Sequence, residues 1–253
     1  MKHQPSKLIS VGSSPTKRIS VKYYIIMGQK VNPKGFRIGV NNLWAVESQC
    51  YGKNFTNTKN LYKKSLFTEN YLRKLFVSNE FIKGDTNLKI WDNMWQYDIE
   101  YAPLISKNNS SIQAFKKPLF HLSNIELQNY NATLWYQNGS LLCEFIKCSL
   151  KKGLPFRKIV TMIKVLFSSE KSYNIVLKTV CGTQLYEFTG LKIEYAGRFG
   201  GSRSRMANKI SFRIGAVSLQ KLETHVEFYE VPLYTKQGIC NLQVWMAYKI
   251  IRV

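Results

Sequence analysis

The sequence predicts an α+β protein whose C-terminal part is a two-layer unit of two helices packed on a four-stranded, mainly antiparallel sheet. From residue 141 to residue 167, apolar side chains recur with a helical period that Gly153 and Pro155 interrupt once. Beyond residue 190, apolar and polar residues alternate in four runs, as in half-buried strands. One sheet with an apolar face needs a cover, and the paired helices supply it.

The composition points to a folded protein with a polyanionic partner. The chain has 253 residues, of which 45% are apolar and 13% aromatic, so it can bury a core and is not a disordered tail. Lys and Arg number 37 against 15 Asp and Glu, a net charge of +22. A surplus of this size indicates nucleic acid first and an anionic membrane surface second. No stretch of about 18 apolar residues occurs, so no membrane span is predicted.

Residues 1–26 form a basic extension. They carry five bases and several serines but no acid. This composition is similar to that of an organelle transit peptide, although such peptides favour Arg over Lys. We expect the extension either to lie on RNA or to be a retained leader.

Residues 27–50 are predicted to form an extended basic arm. Pro33, Gly35 and Gly39 keep the backbone extended or turning instead of helical. An extended basic segment can follow a phosphate groove that a globule cannot enter. The candidate RNA-binding residues of the arm are Lys30, Lys34 and Arg37.

Residues 51–138 combine a helix with strands. An apolar stripe predicts a helix over 61–76, and alternating apolar and aromatic residues predict strands within 80–101. The strand region carries five acids against two lysines, which makes it a poor RNA face. We favour a core layer there over a protein contact. The stretch 108–137, rich in Asn and Ser, is predicted to be a loop in which His121 and Trp135 pack against neighbours.

The break between the two C-terminal helices is a cluster of bases. Four cations fall within eight residues that contain no acid, which favours a phosphate contact over a solvated helix face. These cations are Lys151, Lys152, Arg157 and Lys158.

The four predicted strands surround a basic loop. No acid occurs between Glu194 and Glu223, so we expect the cations there to find their counter-charge outside the chain. A hairpin turn is predicted at 236–238. The strands are Leu191–Phe199, Ile210–Val217, Thr224–Val231 and Cys240–Tyr248, and the candidate RNA-binding residues are Arg198, Arg203, Arg205, Lys209 and Arg213.

The sequence indicates neither catalysis nor a cofactor. The five cysteines are scattered without a C-x-x-C pair and the three histidines are isolated, with His225 on the polar side of its strand, so no metal site is expected. No Walker loop, G-x-S-x-G motif or paired carboxylates at motif spacing occur. We therefore expect no enzyme and no small-molecule substrate.

Three segments resemble one family. They are MGQKVNPKGFRIGV at 27–40, GLKIEYAGRFGGSRSR at 190–205, and residues 216–249. All three are similar to small-subunit ribosomal protein three, the uS-three family, and they occur in the family's order. The resemblance implies a structural constituent of the head of the small ribosomal subunit. Such a protein binds small-subunit rRNA and neighbouring head proteins, and lines the path by which mRNA enters.

The resemblance also implies a type II KH domain in the middle of the chain. A KH domain grips single-stranded RNA with a G-x-x-G loop between two helices. Here the sole G-x-x-G runs from Gly197 to Gly200 and follows a strand. We therefore expect residues 51–138 to be a degenerate KH-like region without its RNA clamp.

Within residues 139–253, the resemblance assigns a basic helix facing incoming mRNA. Arg157 and Lys158 match two of its basic positions, Thr161 stands at a third, and Lys164 lies one turn further on. Residues 168–188 look like an insertion. The composition, rich in Lys, Asn, Ile, Tyr and Phe, suggests the mitochondrial version of the family, with a plastid version as the alternative.

A free RNA-binding regulator and a membrane-surface protein are the competing interpretations. A regulator needs exposed stacking aromatics or an intact clamp loop, and neither is evident in the sequence. A membrane binder needs a basic amphipathic helix with large apolar residues opposite, which 154–167 matches weakly. Co-sedimentation with small ribosomal subunits at moderate salt separates the three.

Overall fold

A computed structural model describes residues 31–48, 58–91, 94–103, 125–132, 134–169, 174–180, 182–199 and 206–251. The segment from Asn32 to the C-terminus is one compact unit that contains helices and two sheets, which confirms the α+β class. The helices are α1 (Pro33–Phe36), α2 (Thr58–Ser78), α3 (Gly139–Lys151) and α4 (Phe156–Ser169). The strands are β1 (Val46–Ser48), β2 (Phe81–Trp91), β3 (Met94–Pro103), β4 (Ile125–Asn131), β5 (Asn174–Thr179), β6 (Gly182–Gly197), β7 (Asn208–Gly215), β8 (Thr224–Thr235) and β9 (Gly238–Ile250).

The first sheet has the order β1-β2-β3-β4 and is covered by α2. The antiparallel pair β2–β3 forms its centre, and β1 and β4 add in parallel at the edges. Leu72 and Phe76 of α2 pack with Tyr97 and Ile99 of β3, and all four are at most 3% exposed. The predicted helix and the predicted core layer are therefore confirmed.

Part of the predicted loop at 108–137 is ordered secondary structure. Strand β4 pairs with β3 from Trp95–Ile125 to Tyr101–Asn131, and a short 3-10 helix spans Trp135–Gln137. The sequence IELQNYN has few apolar residues, so its strand conformation comes from pairing with β3 more than from its own pattern. Trp135 packs on Phe145 at 4.2 Å between ring centroids, as expected, whereas His121 lies outside the described residues.

The second sheet has five strands where four were expected. Its order is β5-β6-β9-β8, with β7 also paired to β6, and all pairs are antiparallel. The additional strand comes from the apparent insertion at 168–188. There Asn174–Thr179 pairs with the first part of β6, which begins at Gly182 instead of Leu191. Along one edge, the N-terminal part of β6 therefore pairs with β5 and its C-terminal part pairs with β7.

Helices α3 and α4 cover one face of this sheet, as predicted. Leu142 and Ile146 of α3 and Ile159 and Ile163 of α4 are fully buried in the same core cluster as the strand residues Leu191, Ile193, Leu242 and Val244. The chain leaves α3 through Gly153, whose φ is +85°. This left-handed residue lets the Leu154 N–H bond the Ser149 carbonyl at 3.2 Å and closes the helix.

The opposite face of β6 is also buried, so the expectation of a half-buried strand is wrong. Lys192 and Glu194 are only 8% and 6% exposed. Lys192 Nζ lies 2.8 Å from Glu194 Oε1 and 4.6 Å from the ring centroid of Trp245. Trp245 belongs to a second apolar cluster on this face with Val226 and Ala247. The long side chains of a central strand lie over the adjacent strands, and this packing shields even charged groups from water.

The arm is not extended throughout. Residues 33–36 form one helical turn, with the Asn32 side chain accepting from the Lys34 N–H at 2.9 Å and Pro33 at the first helical position. Proline there is favourable because its missing N–H would have had no helical partner.

Arg37 is a structural residue instead of an RNA contact, because its side chain is fully buried (0% exposed). Its guanidinium donates to four backbone carbonyls, at 3.0 Å to Pro33, 3.0 Å to Leu219, 2.7 Å to Lys221 and 2.7 Å to Thr224. Arg37 therefore fastens the N-terminal segment to the turn before β8, and no phosphate can reach it.

We predict that Arg37→Met lowers the free energy of unfolding by about 3–5 kcal/mol, because four buried carbonyls lose their donor. Arg37→Lys keeps the charge but offers fewer fixed donors, so we expect an intermediate loss. Urea unfolding followed by tryptophan fluorescence measures both. An unchanged midpoint for Arg37→Met would contradict this role.

A polar cluster joins the two sheets. Asp85 of β2 pairs with Lys34 at 3.3 Å and accepts a hydrogen bond from the Tyr229 hydroxyl of β8. Glu227 Oε2 accepts from the Gly139 N–H at 3.0 Å. Burial, reinforced by Asp85, raises the pKa of Glu227 to about 7.

The expectation that His225 lies on the polar side of its strand is wrong. Its ring faces the helix-covered core, 5.6 Å from the ring centroid of Tyr186 and 6.0 Å from that of Tyr248. Burial, followed by the charges of Lys34 and Arg37, lowers its pKa to about 4. His225 and Glu227 therefore both change protonation state between about pH 4 and 7, with opposite effects on stability.

Glu227 contributes stability below pH 4.5 that is lost as the pH rises through about 7. His225 contributes stability above pH 6.5 that is lost as the pH falls through about 4. We predict that Glu227→Gln is less stable at low pH than at neutral pH, and His225→Gln the reverse, by up to about 3 kcal/mol relative to the double variant. Urea unfolding between these pH limits measures the three variants, and parallel profiles would refute the assignment.

Candidate nucleic-acid interface

Three segments at one end of the second sheet border a groove of about 1200 Å³. They are the α3–α4 turn, residues 198–199 directly after β6, and the β8–β9 turn. The groove is lined by the cations Lys151, Arg157, Arg198 and Lys236. Among the described residues that line it there is no carboxylate, and within that part of the chain no carboxylate pairs with Lys151, Arg157 or Lys236.

The α3–α4 turn supplies the densest charge. Lys151 ends α3, Lys152 caps it, and Arg157 and Lys158 lie in the first turn of α4, which has no acid. All four side chains are exposed. A helix N-terminus carries a partial positive charge, so cations there raise the potential further instead of balancing it. An external phosphate would relieve this repulsion.

The end of β6 positions Arg198. Gly197 is the last residue of the strand, so the G-x-x-G motif does follow a strand and not a helix; Gly200 lies outside the described residues. Gly197 lies so close to β9 that an added Cβ would come within 2.5 Å of Cys240 Sγ. The Cys240 thiol donates to the Arg198 carbonyl at 3.7 Å. This close contact holds the backbone from which Arg198 reaches the groove.

A stack of three aromatic rings forms the floor. The ring centroids of Phe156 and Tyr195 are 5.1 Å apart at 30°, and those of Tyr195 and Phe199 are 4.3 Å apart at 29°. Phe156 and Tyr195 are 7% exposed, whereas Phe199 is half-buried at the groove. The stack therefore begins in the core and ends at the surface.

Lys236 is a further candidate, which no sequence pattern indicated. The residue lies in the two-residue turn between β8 and β9, which was predicted only as a hairpin turn. A lysine in a tight turn is commonly solvated, so its sequence context carries no sign of the neighbouring helix break. Only the antiparallel pairing of β8 with β9 brings it to the groove.

Other predicted residues lie elsewhere. Lys34 is at the junction between the sheets, 4.7 Å from the ring centroid of Tyr229. Lys209 of β7 pairs with Glu194 Oε2 at 2.7 Å, so the expectation of a cation without an internal partner is wrong for it. Arg213 is exposed on β7, opposite Lys192. Lys30, Arg203 and Arg205 lie outside the described residues.

Within the described part of the chain, no group of three His, Cys, Asp or Glu residues could hold a metal ion. Cys143, Cys148 and Cys240 are free thiols. Burial raises the pKa of Cys143 to about 12, which keeps it protonated and unreactive. Of the helices that the structure describes, none is long and apolar enough to cross a membrane.

We predict that Gly197→Ala lowers the free energy of unfolding by about 2–4 kcal/mol, from backbone strain and from the clash with Cys240. Gly238→Ala is the matched control. Gly238 also has a positive φ, +130°, but an added Cβ there meets nothing within 4 Å. It should show the strain alone. Urea unfolding compares the two, and equal losses would argue against the close contact.

No family model matches the chain, but the chain is similar to several proteins that share one name, small ribosomal subunit protein uS3. The small ribosomal subunit protein uS3m of Chondrus crispus is 26% identical over 227 residues, which cover 88% of this chain and 94% of the relative. The uS3c protein of Adiantum capillus-veneris is 27% identical, covering 87% and 98%. The uS3 protein of Mycoplasmopsis agalactiae is also 27% identical, covering 87% and 96%.

Proposed function

Because the chain belongs to the uS3 family of small ribosomal subunit proteins, we propose that it is a structural constituent of the small subunit that binds the subunit's rRNA. The observation that carries the proposal is the extent of the similarity. Relatives from a mitochondrion, a plastid and a bacterium each match 87–88% of the chain and at least 94% of their own length. A match of this extent includes both sheets and the connection between them, not one shared module.

The groove supports RNA as the ligand. Four cations around a lining without acids in its described part form a positive surface whose counterions are released when phosphates bind. Affinity from this source falls steeply with salt. It needs no sequence recognition, which suits a protein that stays on one rRNA.

We propose that α4 faces incoming mRNA. Arg157 and Lys158 are exposed on its first turn, and Lys164 is exposed further along the helix. Thr161, between them, is also exposed, and its hydroxyl donates to the Lys158 carbonyl at 2.7 Å. The helix therefore carries exposed cations before and after one neutral position. These cations would contact successive phosphates of an mRNA strand.

We propose the domain division 1–26, 27–50, 51–138 and 139–253, the third being the degenerate KH-like region. Support comes from the change of sheet, since β4 ends the first sheet at Asn131 and α3, which covers the second sheet, begins at Gly139. The strand β1, at 46–48, pairs with β2, so the arm ends as an edge of the first sheet.

We propose the mitochondrion as the compartment, with the plastid as the alternative. The relatives include uS3m and uS3c proteins, and the former supports the first choice. A tagged chain expressed in its own cell would co-purify with the small subunit of one organelle.

To test the groove, we predict the effect of replacing Lys151, Arg157 and Lys236 together by Met. Co-sedimentation with small subunits should be lost at lower salt than for the natural chain. The slope of log affinity for rRNA against log salt should fall by roughly 2–3, because each phosphate contact contributes about 0.7–0.9.

The matched control replaces Lys63, Lys64 and Lys74 by Met, which removes the same charge from exposed positions of α2. The control should leave the slope nearly unchanged. Equal slopes for the two triple variants would show that only net charge matters. A natural chain that never co-sediments with small subunits, yet binds RNA, would instead favour a free RNA-binding regulator.

A further inference from the structure

The described lining of the groove combines two features that one ligand would explain. Lys151, Arg157 and Lys236 have no described carboxylate partner and require an anion, and the floor is the half-buried end of the Phe156–Tyr195–Phe199 stack. A phosphate group would satisfy the cations but leave the aromatic face of Phe199 against water. An acidic peptide would do the same unless it supplied a flat ring of its own.

We infer that the groove takes an unpaired RNA nucleotide, whose base extends the ring stack on Phe199 while the cations around it hold the adjacent phosphates. The inference rests on the proposed function in that the ligand is RNA. It adds a base-binding position to a surface that otherwise needs only phosphates.

The stack is suited to a further ring. Its two spacings, 5.1 and 4.3 Å, and its interplanar angles, 30° and 29°, are those of offset stacked rings. Phe156 and Tyr195 are held in the helix-covered core, so Phe199 is positioned before any ligand arrives. A platform that is already ordered loses little side-chain entropy when a base stacks on it.

The dimensions favour a passing strand over an enclosed small molecule. At about 1200 Å³ the groove exceeds the roughly 300–1,000 Å³ of pockets that hold drug-sized ligands. Lys151 and Arg157 lie at the α3–α4 turn and Lys236 lies in the β8–β9 turn, so phosphates on either side of one nucleotide can each meet a positive group. Bases inside a duplex are stacked on each other and cannot reach the floor, which restricts the site to unpaired RNA.

The expected binding tolerates any base. Stacking requires only a π-face, which all four bases have. The polar side chains at the rim are exposed and lie at strand ends or in a turn: Thr235 ends β8, Gln237 lies in the β8–β9 turn, and Asn208 begins β7. The site would therefore hold a nucleotide without reading it.

The experiment uses the full chain and a single-stranded RNA of about ten nucleotides, with a matched RNA of the same length in which every base is replaced by an abasic site, so that no other base can shift into the groove. Affinities of both RNAs are measured for the natural chain and for Phe199→Leu, Phe199→Trp and Tyr62→Leu. Tyr62 is a control ring, 64% exposed on α2 and away from the groove.

The natural chain should bind the abasic RNA about ten-fold more weakly than the RNA with bases, within the range of roughly five- to a hundred-fold known for one stacked base. In Phe199→Leu the ratio of the two affinities should fall to about one, whereas Phe199→Trp and Tyr62→Leu should keep the ratio of the natural chain. Because the ratio is taken within each protein, a partly unfolded variant lowers both affinities equally and leaves the ratio unchanged.

Equal ratios in Phe199→Leu and the natural chain would overturn the inference. So would equal affinity of the natural chain for the two RNAs, or displacement of the single strand by polyglutamate at matched charge concentration. Sedimentation of the natural chain with small subunits is a separate readout, which tests the proposed function alone. A natural chain that fails to assemble would overturn the proposed function without deciding the stacking result.

The nucleotide could belong to rRNA or to mRNA, and assembled subunits distinguish them. A photo-crosslinking phenylalanine analogue at position 199 should label RNA in the particle. Labelling of rRNA without added mRNA identifies the first source, and labelling only of added mRNA identifies the second. Absence of any RNA label in particles that contain the chain would overturn the inference.

Discussion

The double burial of the central strand β6 is the constraint on which the rest of the structure depends. Its edges are occupied by β5 and β7 on one side and by β9 on the other, and side chains from both of its faces are buried. Within the covered length a charge must be paired, because an isolated ion away from water is very costly. Lys192 and Glu194 meet this requirement together. Arg198, just past the last strand residue, is the first cation of this strand to reach the groove.

The cost of burying an unpaired charge also divides the surplus cations into two classes. Some serve the fold: Arg37 donates to backbone carbonyls, and the buried Lys83 lies 3.7 Å from Glu69, with its pKa lowered by burial. Others, namely Lys151, Arg157 and Lys236, stand at turns, and no described carboxylate pairs with them. Net charge alone thus identifies the kind of partner but not the residues that meet it, since a base that stabilises the interior looks the same in a count.

Helix α3 connects the two sheets and the groove. Its N-terminal turn is held by the Asn138 side chain, by Glu227 of β8 and, through Ser140, by the Asp85 N–H of β2 at 3.0 Å. Its last residue is Lys151. One helix therefore fixes the cations of the α3–α4 turn relative to both sheets, which gives the groove a rigid wall.

The sequence by itself determined the features that depend on local pattern: α2, the α3–α4 pair broken at Gly153 and Pro155, and the alternation and hairpin of the last strands. These follow from periodicity and from residues with restricted backbone angles. Only the tertiary structure decided that β4 is a strand, that β5 joins the second sheet, that Arg37 is internal, that Lys209 meets Glu194, and that Lys236 joins the groove. Each of these depends on a partner distant in the chain. A one-dimensional pattern records which residues are apolar or charged, but the neighbour that pairs with a strand or neutralises a cation is chosen by long-range packing.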